Sequence, residues 1–234
     1  MTKILFICHG NICRSPTAEF VMKHLVKQAG LEDEFHIASA ATHDEELGYP
    51  VYPPSKAKME ENGIDCSEKR ARLLIPEDYQ RFDLLIGMDE ENARFMQRMF
   101  APDPEGKRKN LLDYAGRIGA PVADPWFTRN FDITWDDINA GCQGLLEALT
   151  GTVTLDFTKA TARKDLYGEL RVKMDWQDWY GKNLDALHDI LTGLPHKGSR
   201  FLFLLPKAGD PELAAYAEKI AAEFEEAGKT VCKA

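Results

Sequence analysis

The residues best placed to do chemistry are a cysteine and an arginine near the N-terminus, Cys8 and Arg14, with five residues between them. A cysteine beside a helix N-terminus and a guanidinium is commonly a thiolate at neutral pH, and a thiolate is a nucleophile. Arginine presents a planar fork of donors that can hold two oxygens of a tetrahedral anion. The pair therefore predicts an anion site in which Cys8 attacks the bound group.

The segments on either side of this pair fit such a site. Residues 4–7 form a continuous apolar run, typical of a strand buried on both faces. Ser15 and Pro16 suit the start of a helix, as a cap and a first helical residue. Backbone N–H groups of the loop and the helix dipole would then favour an anion. Gly10 and Asn11 tolerate the left-handed backbone that a tight loop needs.

The loop resembles the phosphate-binding loop of the low-molecular-weight protein tyrosine phosphatases, whose signature is C-x-G-N-x-C-R-S. The resemblance implies a phosphoric monoester hydrolase that forms a cysteinyl-phosphate on Cys8 and uses no metal or other cofactor. Ile12 favours phosphotyrosine, because the related arginine phosphatases have threonine there. Taken without the resemblance, the two cysteines could be a redox-active or structural pair in an ordinary loop. The signature residues are Cys8, His9, Gly10, Asn11, Ile12, Cys13, Arg14 and Ser15.

The resemblance also implies roles within the loop. Asn11 and Ser15 look like the family's bracing pair, with Ser15 hydrogen-bonding the Cys8 thiolate. Cys13 looks like the neighbour that forms a reversible disulfide with Cys8 and protects it from irreversible oxidation.

Breaking a phosphate ester leaves an oxyanion that needs a proton, so a carboxylic acid must face the loop. Composition cannot select it among 38 acidic residues. The family carries its general acid in a D-P-aromatic stretch before the final helix, and Asp124-Pro125-Trp126 matches this pattern. The resemblance therefore implies that Asp124 is the general acid, although an ordinary Asp-Pro turn has the same sequence. Trp126 is interpreted as a wall for the substrate ring, and a core position is the alternative.

The rim of the site departs from the family pattern. Glu45 lies near the position where an aromatic residue often borders the substrate, so we expect acidic phosphopeptides to be disfavoured. His9 and His43 are interpreted as rim or surface residues and not as metal ligands, because neither has a second ligand at a usable spacing. The expected substrate is a phosphotyrosine protein or a small aryl phosphate.

Composition limits the partners and the compartment. The chain has 234 residues and a net charge of -9, which predicts two domains and argues against nucleic acid and anionic membranes as general partners. No apolar run is long enough for a signal sequence or a membrane span. Five cysteines without regular spacing indicate thiols in a reducing cytoplasm. Three of them are interpreted as packing residues: Cys66, Cys142 and Cys232.

Apolar runs alternate with helical patterns through residue 151, which predicts an α/β domain with a doubly wound four-stranded parallel sheet. The resemblance implies flavodoxin-like strand order. A long irregular stretch is expected over 113–132, and the last helix is expected to begin near Thr134, where Thr134 and Asp137 have capping-box spacing. Ligand should bind at the carboxyl ends of the strands. The strands are predicted at 4–7, 35–40, 84–88 and 110–112.

Residues 152–234 are predicted to form a separate domain of 83 residues with a net charge of -1. Residues 179–193 resemble barstar, the intracellular ribonuclease inhibitor, which implies a small α/β domain with a three-stranded parallel sheet. The resemblance implies a surface for a ribonuclease-like partner. The alternative is a domain that kept the fold and lost that partner, since His188 and Leu194 replace aromatic contacts and the domain is only weakly acidic. The implied contact residues are Trp179, Asp185, Asp189 and Glu223.

Two other functions fit parts of the sequence. Arsenate reduction on the same fold would need a further redox cysteine pair, and Cys66 and Cys142 are not closely spaced. A pure interaction protein could use the first domain only to bind phosphate. The presence of Cys8, Arg14 and Asp124 together argues for catalysis instead.

Overall fold

The computed structural model describes residues 1–176, 181–193, 200–206 and 210–234. The chain divides into two compact units. Met1–Lys27 and Leu31–Leu145 make up the first unit, and Gln28–Gly30 and Leu146–Ala234 make up the second. In the described part of the chain, no helix has the length and apolar character needed to cross a membrane.

The first unit contains a four-stranded, fully parallel sheet with the order β2-β1-β3-β4. This order confirms the predicted doubly wound α/β sheet. The apolar residues 4–7 of the central strand are fully buried, as expected for a strand covered on both faces. The strands are β1 (Thr2–Cys8), β2 (Phe35–Ala41), β3 (Leu84–Gly87) and β4 (Arg108–Asn110).

Helices connect and cover these strands. The first helix buries Ala18, Val21, Met22 and Leu25, which recur at the spacing of one helical face. The helices are α1 (Arg14–Gln28), α2 (Pro53–Glu60), α3 (Asp78–Arg81), α4 (Glu90–Met99), α5 (Pro125–Thr128) and α6 (Phe131–Thr150).

Several predicted boundaries were wrong. Helix α1 begins at Arg14, so Ser15 lies inside the helix and is not its cap. The stretch expected to be irregular over 113–132 contains the short helix α5. The fourth strand ends at Asn110, and Leu111–Ala115 form a short 3-10 helix instead of continuing the strand. A pair of buried leucines is compatible with either structure, so the apolar pattern alone could not separate them. Helix α6 begins at Phe131 and not at Thr134, because the side chain of Asn130 accepts from the N–H groups of Asp132 and Ile133.

The second unit is built on a three-stranded parallel sheet with the order β5-β6-β7, which confirms the predicted small α/β fold. Its core is aromatic: Phe157, Phe201, Phe203 and Phe224 are fully buried. The strands are β5 (Thr152–Asp156), β6 (Arg200–Leu204) and β7 (Thr230–Lys233), and the helices are α7 (Arg163–Met174), α8 (Leu184–Gly193) and α9 (Pro211–Glu226).

Candidate active site

The loop of residues 8–15, predicted to bind phosphate, lies at the carboxyl end of the sheet. From β1 the chain crosses to β2 on one side, while β3 pairs with the other side of β1. Such a reversal of strand order opens a crevice at the strand ends, where ligands of doubly wound sheets bind. Cys8 is the last residue of β1 and is only 4% exposed, and Arg14 begins α1. The fold therefore places both residues at this crevice.

The loop backbone is tight for two different reasons. Asn11 has a φ of 54°, which is the left-handed conformation expected from the sequence. Gly10 does not share it, contrary to the prediction. A Cβ on residue 10 would lie 2.9 Å from Cγ of Glu46, so glycine is needed there for close approach of the neighbouring loop.

A hydrogen-bonded chain runs from a buried carboxylate to Cys8. The Ser39 hydroxyl donates to Glu19 Oε2 (2.6 Å), and it accepts from Nδ2 of Asn11 (2.7 Å). The same Nδ2 donates to the Ser15 hydroxyl (2.8 Å), which lies 3.0 Å from Cys8 Sγ. Because Ser15 accepts from Asn11, its hydrogen is free to donate to the Cys8 sulfur. The expected Asn11–Ser15–Cys8 arrangement is thus present, with two further members that sequence reasoning missed.

Glu19 sets the direction of this chain, because an ionised carboxylate only accepts hydrogen bonds. Burial would raise the pKa of Glu19, but the ammonium groups of Lys69 and Lys23 outweigh it and lower the pKa. Lys69 Nζ lies 2.8 Å from Glu19 Oε2. The ionised form of Glu19 is therefore stabilised beneath the loop.

Arg14 bridges two acidic residues from different parts of the chain. Its Nη1 donates to Asp89 Oδ2 (2.5 Å), and its Nη2 lies 2.7 Å from Asp124 Oδ2. Burial would lower the pKa of Arg14, but the negative charges of Cys8, Asp124 and Asp89 raise it. The guanidinium is thus firmly charged and links the loop to the predicted general acid. Asp89 also caps α4, where its side chain accepts from the N–H of Asn92.

Asp124 is held by its own helix and by α6. It caps α5, with Oδ1 accepting from the N–H of Trp126 (2.9 Å). The preceding residue, Ala123, is bound on both sides of its backbone. Its N–H donates to Asp137 Oδ2 (2.9 Å), and its carbonyl accepts from the Thr134 hydroxyl (2.8 Å). Thr134 and Asp137, predicted as a capping box, thus anchor the loop that carries Asp124.

The rim combines one aromatic side with one charged side. Trp126 is 52% exposed and meets Tyr52 edge-on, with 6.3 Å between ring centroids, so it lies at the surface and not in the core. On the charged side, Glu45 lies 3.8 Å from Nε2 of His9, and Glu91 lies 3.6 Å from Nδ1 of His9.

The His9 ring stacks on His43 with 4.1 Å between centroids. His9, His43 and Glu91 can bring one ligand atom each within 4.8 Å of one another. Residues that are distant in sequence thus meet beside these histidines, although neither histidine has a second ligand at a usable spacing along the chain.

Cys13 lies in the same loop and is a free thiol, as is Cys8. Burial raises the pKa of Cys13 to about 12, and the negative charge of Cys8 adds to this, while a hydrogen bond to Ser55 opposes it. At neutral pH, Cys13 is therefore a protonated thiol beside the predicted nucleophile.

The residues implied as a contact surface in the second unit are only partly together. Asp185 and Asp189 are exposed and lie one turn apart on α8. Glu223 on α9 is half-buried, and its Oε2 lies 3.0 Å from Nδ1 of His188. Trp179 lies outside the described residues.

Comparison with known proteins divides the chain in the same way. Residues 3–155 match the family model of the low molecular weight phosphotyrosine protein phosphatases. Residues 150–233 match the model of barstar, the barnase inhibitor. These matches confirm both resemblances.

Individual relatives align with the first part of the chain. The low molecular weight protein-tyrosine-phosphatase YfkJ of Bacillus subtilis is 34% identical over 150 residues, covering 64% of this chain and 96% of its own length. The low molecular weight phosphotyrosine protein phosphatase of Gallus gallus is 33% identical over 148 residues, covering 62% of this chain and 93% of its own length.

Solved structures of similar proteins also superpose on about two thirds of this chain. The crystal structure of YfkJ superposes with a TM-score of 0.61 and 34% identity over 64% of this chain and 94% of that chain. A Drosophila arginine phosphatase superposes with a TM-score of 0.59 and 28% identity over 64% of this chain and 98% of that chain. With the family model matched over residues 3–155 and the signature loop assembled at the sheet crevice, this chain belongs to the low molecular weight phosphotyrosine protein phosphatase family.

Proposed function

We propose that this chain is a protein tyrosine phosphatase that hydrolyses phosphotyrosine through a cysteinyl-phosphate intermediate. One observation supports the proposal: Arg14 Nη2 lies 2.7 Å from Asp124 Oδ2 and Arg14 belongs to the loop that begins at Cys8, so the three residues proposed as anion clamp, acid and nucleophile lie near one another. Ile12, in place of threonine, favours phosphotyrosine over phosphoarginine. Free thiols at all five cysteines suit a reducing cytoplasm.

The first chemical step would transfer the phosphoryl group to Cys8. The substrate phosphate would be held by loop N–H groups and by Arg14, whose charge follows the oxygens through transfer. As the sulfur–phosphorus bond forms, the phosphorus–oxygen bond to the tyrosine breaks. Asp124, protonated for this step, gives its proton to the leaving phenolate oxygen. The Ser15 hydroxyl stabilises the thiolate before attack.

The second step would release inorganic phosphate. Asp124, now a carboxylate, takes a proton from a water molecule that attacks the cysteinyl-phosphate. The sulfur–phosphorus bond breaks, and the electron pair returns to Cys8 as a thiolate. No residue outside the crevice is needed for either step.

The test is phosphate release from a phosphotyrosine peptide, comparing the full chain with Cys8→Ser and with Cys66→Ser as a matched control. We expect Cys8→Ser to lose activity and Cys66→Ser, a buried cysteine outside the site, to keep it. Activity that survives Cys8→Ser would contradict the cysteinyl mechanism. A full chain that binds phosphotyrosine peptide without turnover would favour the phosphate-binding interaction protein.

Arsenate reduction is not favoured by the structure. It would need a second redox cysteine pair, and Cys142 is fully buried, with its thiol 3.7 Å from the carbonyl oxygen of Ala18. Burial raises the pKa of Cys142, so this thiol is poorly suited to exchange.

For residues 152–234 we propose a protein-binding domain, fused to a catalytic domain in residues 1–151. The supporting observation is the exposed pair Asp185 and Asp189 on one face of α8, which suits a basic, ribonuclease-like surface. Glu223 contributes less than the resemblance implies, because it is half-buried beside His188.

Titration of the full chain into an assay of a basic ribonuclease of the barnase class tests this second proposal. Inhibition that is lost in Asp185→Asn with Asp189→Asn, and kept in Glu212→Gln at the exposed start of α9, would support it. Absence of inhibition by the full chain would support a domain that kept the fold and lost this partner.

A further inference from the structure

We propose that His9, His43 and Glu91 form a binding site for a divalent transition metal of the zinc type at the mouth of the active site. One ligand atom from each of the three side chains lies within 4.8 Å of the other two. The His9 and His43 rings stack almost parallel, with an angle of 14° between their planes, so the His9 ring turns about its Cβ–Cγ bond when the in-plane lone pairs of both rings bind one ion. Glu91 Oε1 lies 3.6 Å from Nδ1 of His9.

The sheet holds these three residues together. The N–H of Thr42 donates to the carbonyl of Cys8 (2.9 Å), and the N–H of His43 donates to the carbonyl of His9 (3.1 Å). The parallel pairing of β1 with β2 thus continues beyond both strands, and it sets the two imidazoles side by side. Glu91 lies in the first turn of α4, directly after β3. Three neighbouring strand ends therefore supply the three side chains.

Hydrogen bonding leaves a ring nitrogen of His43 available as a ligand. Nδ1 of His43 lies 2.8 Å from the Thr42 hydroxyl oxygen. When this nitrogen donates to Thr42, the hydrogen is on Nδ1 and the lone pair is on Nε2. Metal-binding histidines usually donate their second ring nitrogen to such a partner, which fixes the tautomer and the ring.

The donor set fits a cation of intermediate softness. Two imidazoles and one carboxylate are a common ligand set for Zn²⁺, which accepts four ligands and can keep one water. Glu45 Oε2, 3.8 Å from Nε2 of His9, places a second carboxylate next to the cluster. The two carboxylates concentrate negative charge at the cluster, which favours a divalent cation.

The test is calorimetric titration of Zn²⁺ into the full chain carrying Cys8→Ser, which removes the catalytic thiolate as a competing ligand. We expect one saturable site for Zn²⁺. Its affinity should fall about ten-fold or more in His43→Ala, and it should also fall in the separate variant Glu91→Gln, because each change removes one ligand. Two matched controls should keep this affinity. His36→Ala removes an exposed imidazole outside the cluster, and His188→Ala removes the histidine of a second group in the other unit, with Glu223 and Glu226.

A spectroscopic readout keeps the proposal falsifiable if His43→Ala does not fold. In the Cys8→Ser chain, Zn²⁺ should shift the imidazole NMR signals of His9 and His43 together and leave those of His36 in place. Unchanged affinity in a folded His43→Ala variant would overturn the proposal. So would binding that only His188→Ala removes, or a titration in which neither the His9 nor the His43 signals move.

Discussion

Arg14 and Asp89 are joined across the crevice between β1 and β3, with 2.5 Å between Nη1 of Arg14 and Oδ2 of Asp89. The other oxygen of Asp89 accepts from the N–H of Asn92 (2.8 Å) and caps α4. One carboxylate thus ties the loop of residues 8–15 to the start of a helix, and it holds Nη1 of Arg14 while Nη2 contacts Asp124.

Asp89→Asn should separate these two roles. Asparagine caps helices as well as aspartate does, so the thermal midpoint should change little. The charged hydrogen bond to Arg14 is lost, and such bonds contribute roughly 1.5 to 3 kcal/mol, so we expect kcat/KM to fall about 10- to 100-fold. Steady-state kinetics with a phosphotyrosine peptide is the measurement. Glu90→Gln, at an exposed position where Glu90 pairs with Arg94, is the control. Equal losses in both variants would contradict a specific role for Asp89.

Thr134→Val should weaken acid catalysis without removing the acid. The change keeps the shape of the side chain but removes the hydroxyl that donates to the Ala123 carbonyl, so Asp124 is less well positioned. We expect kcat to fall most for aryl phosphates with poor leaving groups, which depend on protonation. A plot of log kcat against leaving-group pKa should become steeper. Thr192→Val, at an exposed threonine of α8, serves as the matched control. An unchanged slope in Thr134→Val would show that the hydrogen bond from Thr134 to the Ala123 carbonyl has no effect on acid catalysis by Asp124.

Glu45 should set a preference among peptide substrates. Its carboxylate is exposed beside His9, and Glu91 lies on the other side of the same ring. Wild-type protein should therefore turn over phosphotyrosine peptides with flanking basic residues faster than acidic ones. Glu45→Gln should reduce the ratio of the basic-peptide rate to the acidic-peptide rate by about two- to five-fold, because exposed charges interact weakly. The reduction should be smaller at high salt, which screens these charges. Glu34→Gln, in an exposed turn, is the control. Equal wild-type rates on both peptides would refute the idea.

Cys13 should react with iodoacetamide only slowly. Because the pKa of Cys13 is raised to about 12, the thiolate fraction at pH 8 is on the order of one in ten thousand, far below that of a free thiol. The rate of Cys13 alkylation should keep rising from pH 8 to pH 10 instead of levelling off. Peptide mass spectrometry after timed alkylation measures it. Ser55→Ala, which removes the hydrogen bond that lowers this pKa, should slow the reaction further. A plateau near pH 8.5 would contradict the assignment.

Asp103 should stabilise the fold only above acidic pH. Burial would raise the pKa of Asp103, but hydrogen bonds from Tyr79, Lys107 and Arg108 lower it well below its ordinary value. A lowered folded-state pKa means stabilisation that is complete above the unfolded pKa of about 3.9 and is lost as the pH falls below it. Asp103→Asn should therefore reduce the free energy of unfolding at pH 7, and the deficit should shrink below about pH 4. Urea unfolding at several pH values measures this, with exposed Asp33→Asn as control. A deficit that stays constant down to pH 3 would exclude this linkage.

The sequence by itself determined the local parts of the site. The apolar run of β1, the signature from Cys8 to Ser15 and the start of α1 are contiguous, so the order strand, anion loop and helix could be read directly from the sequence. The Asp124-Pro125-Trp126 stretch was recognisable only through its resemblance to the family's D-P-aromatic pattern; in the structure Pro125 begins α5 and Asp124 caps it. The alternation of strands and helices was also sufficient to predict the parallel sheet of the first unit, whereas the parallel sheet of the second unit was predicted from the resemblance to barstar.

Tertiary structure alone decided what surrounds those segments. Thr134 and Asp137 have the spacing of a capping box, yet Asn130 caps α6 and the pair binds Ala123 instead. His9 and His43 have no close ligand in sequence, yet strand pairing stacks their rings. Such contacts join residues separated by many positions, and their geometry depends on strand order and register. A local pattern carries no information on either, so the partners of polar side chains were settled only when the sheet brought the strand ends together.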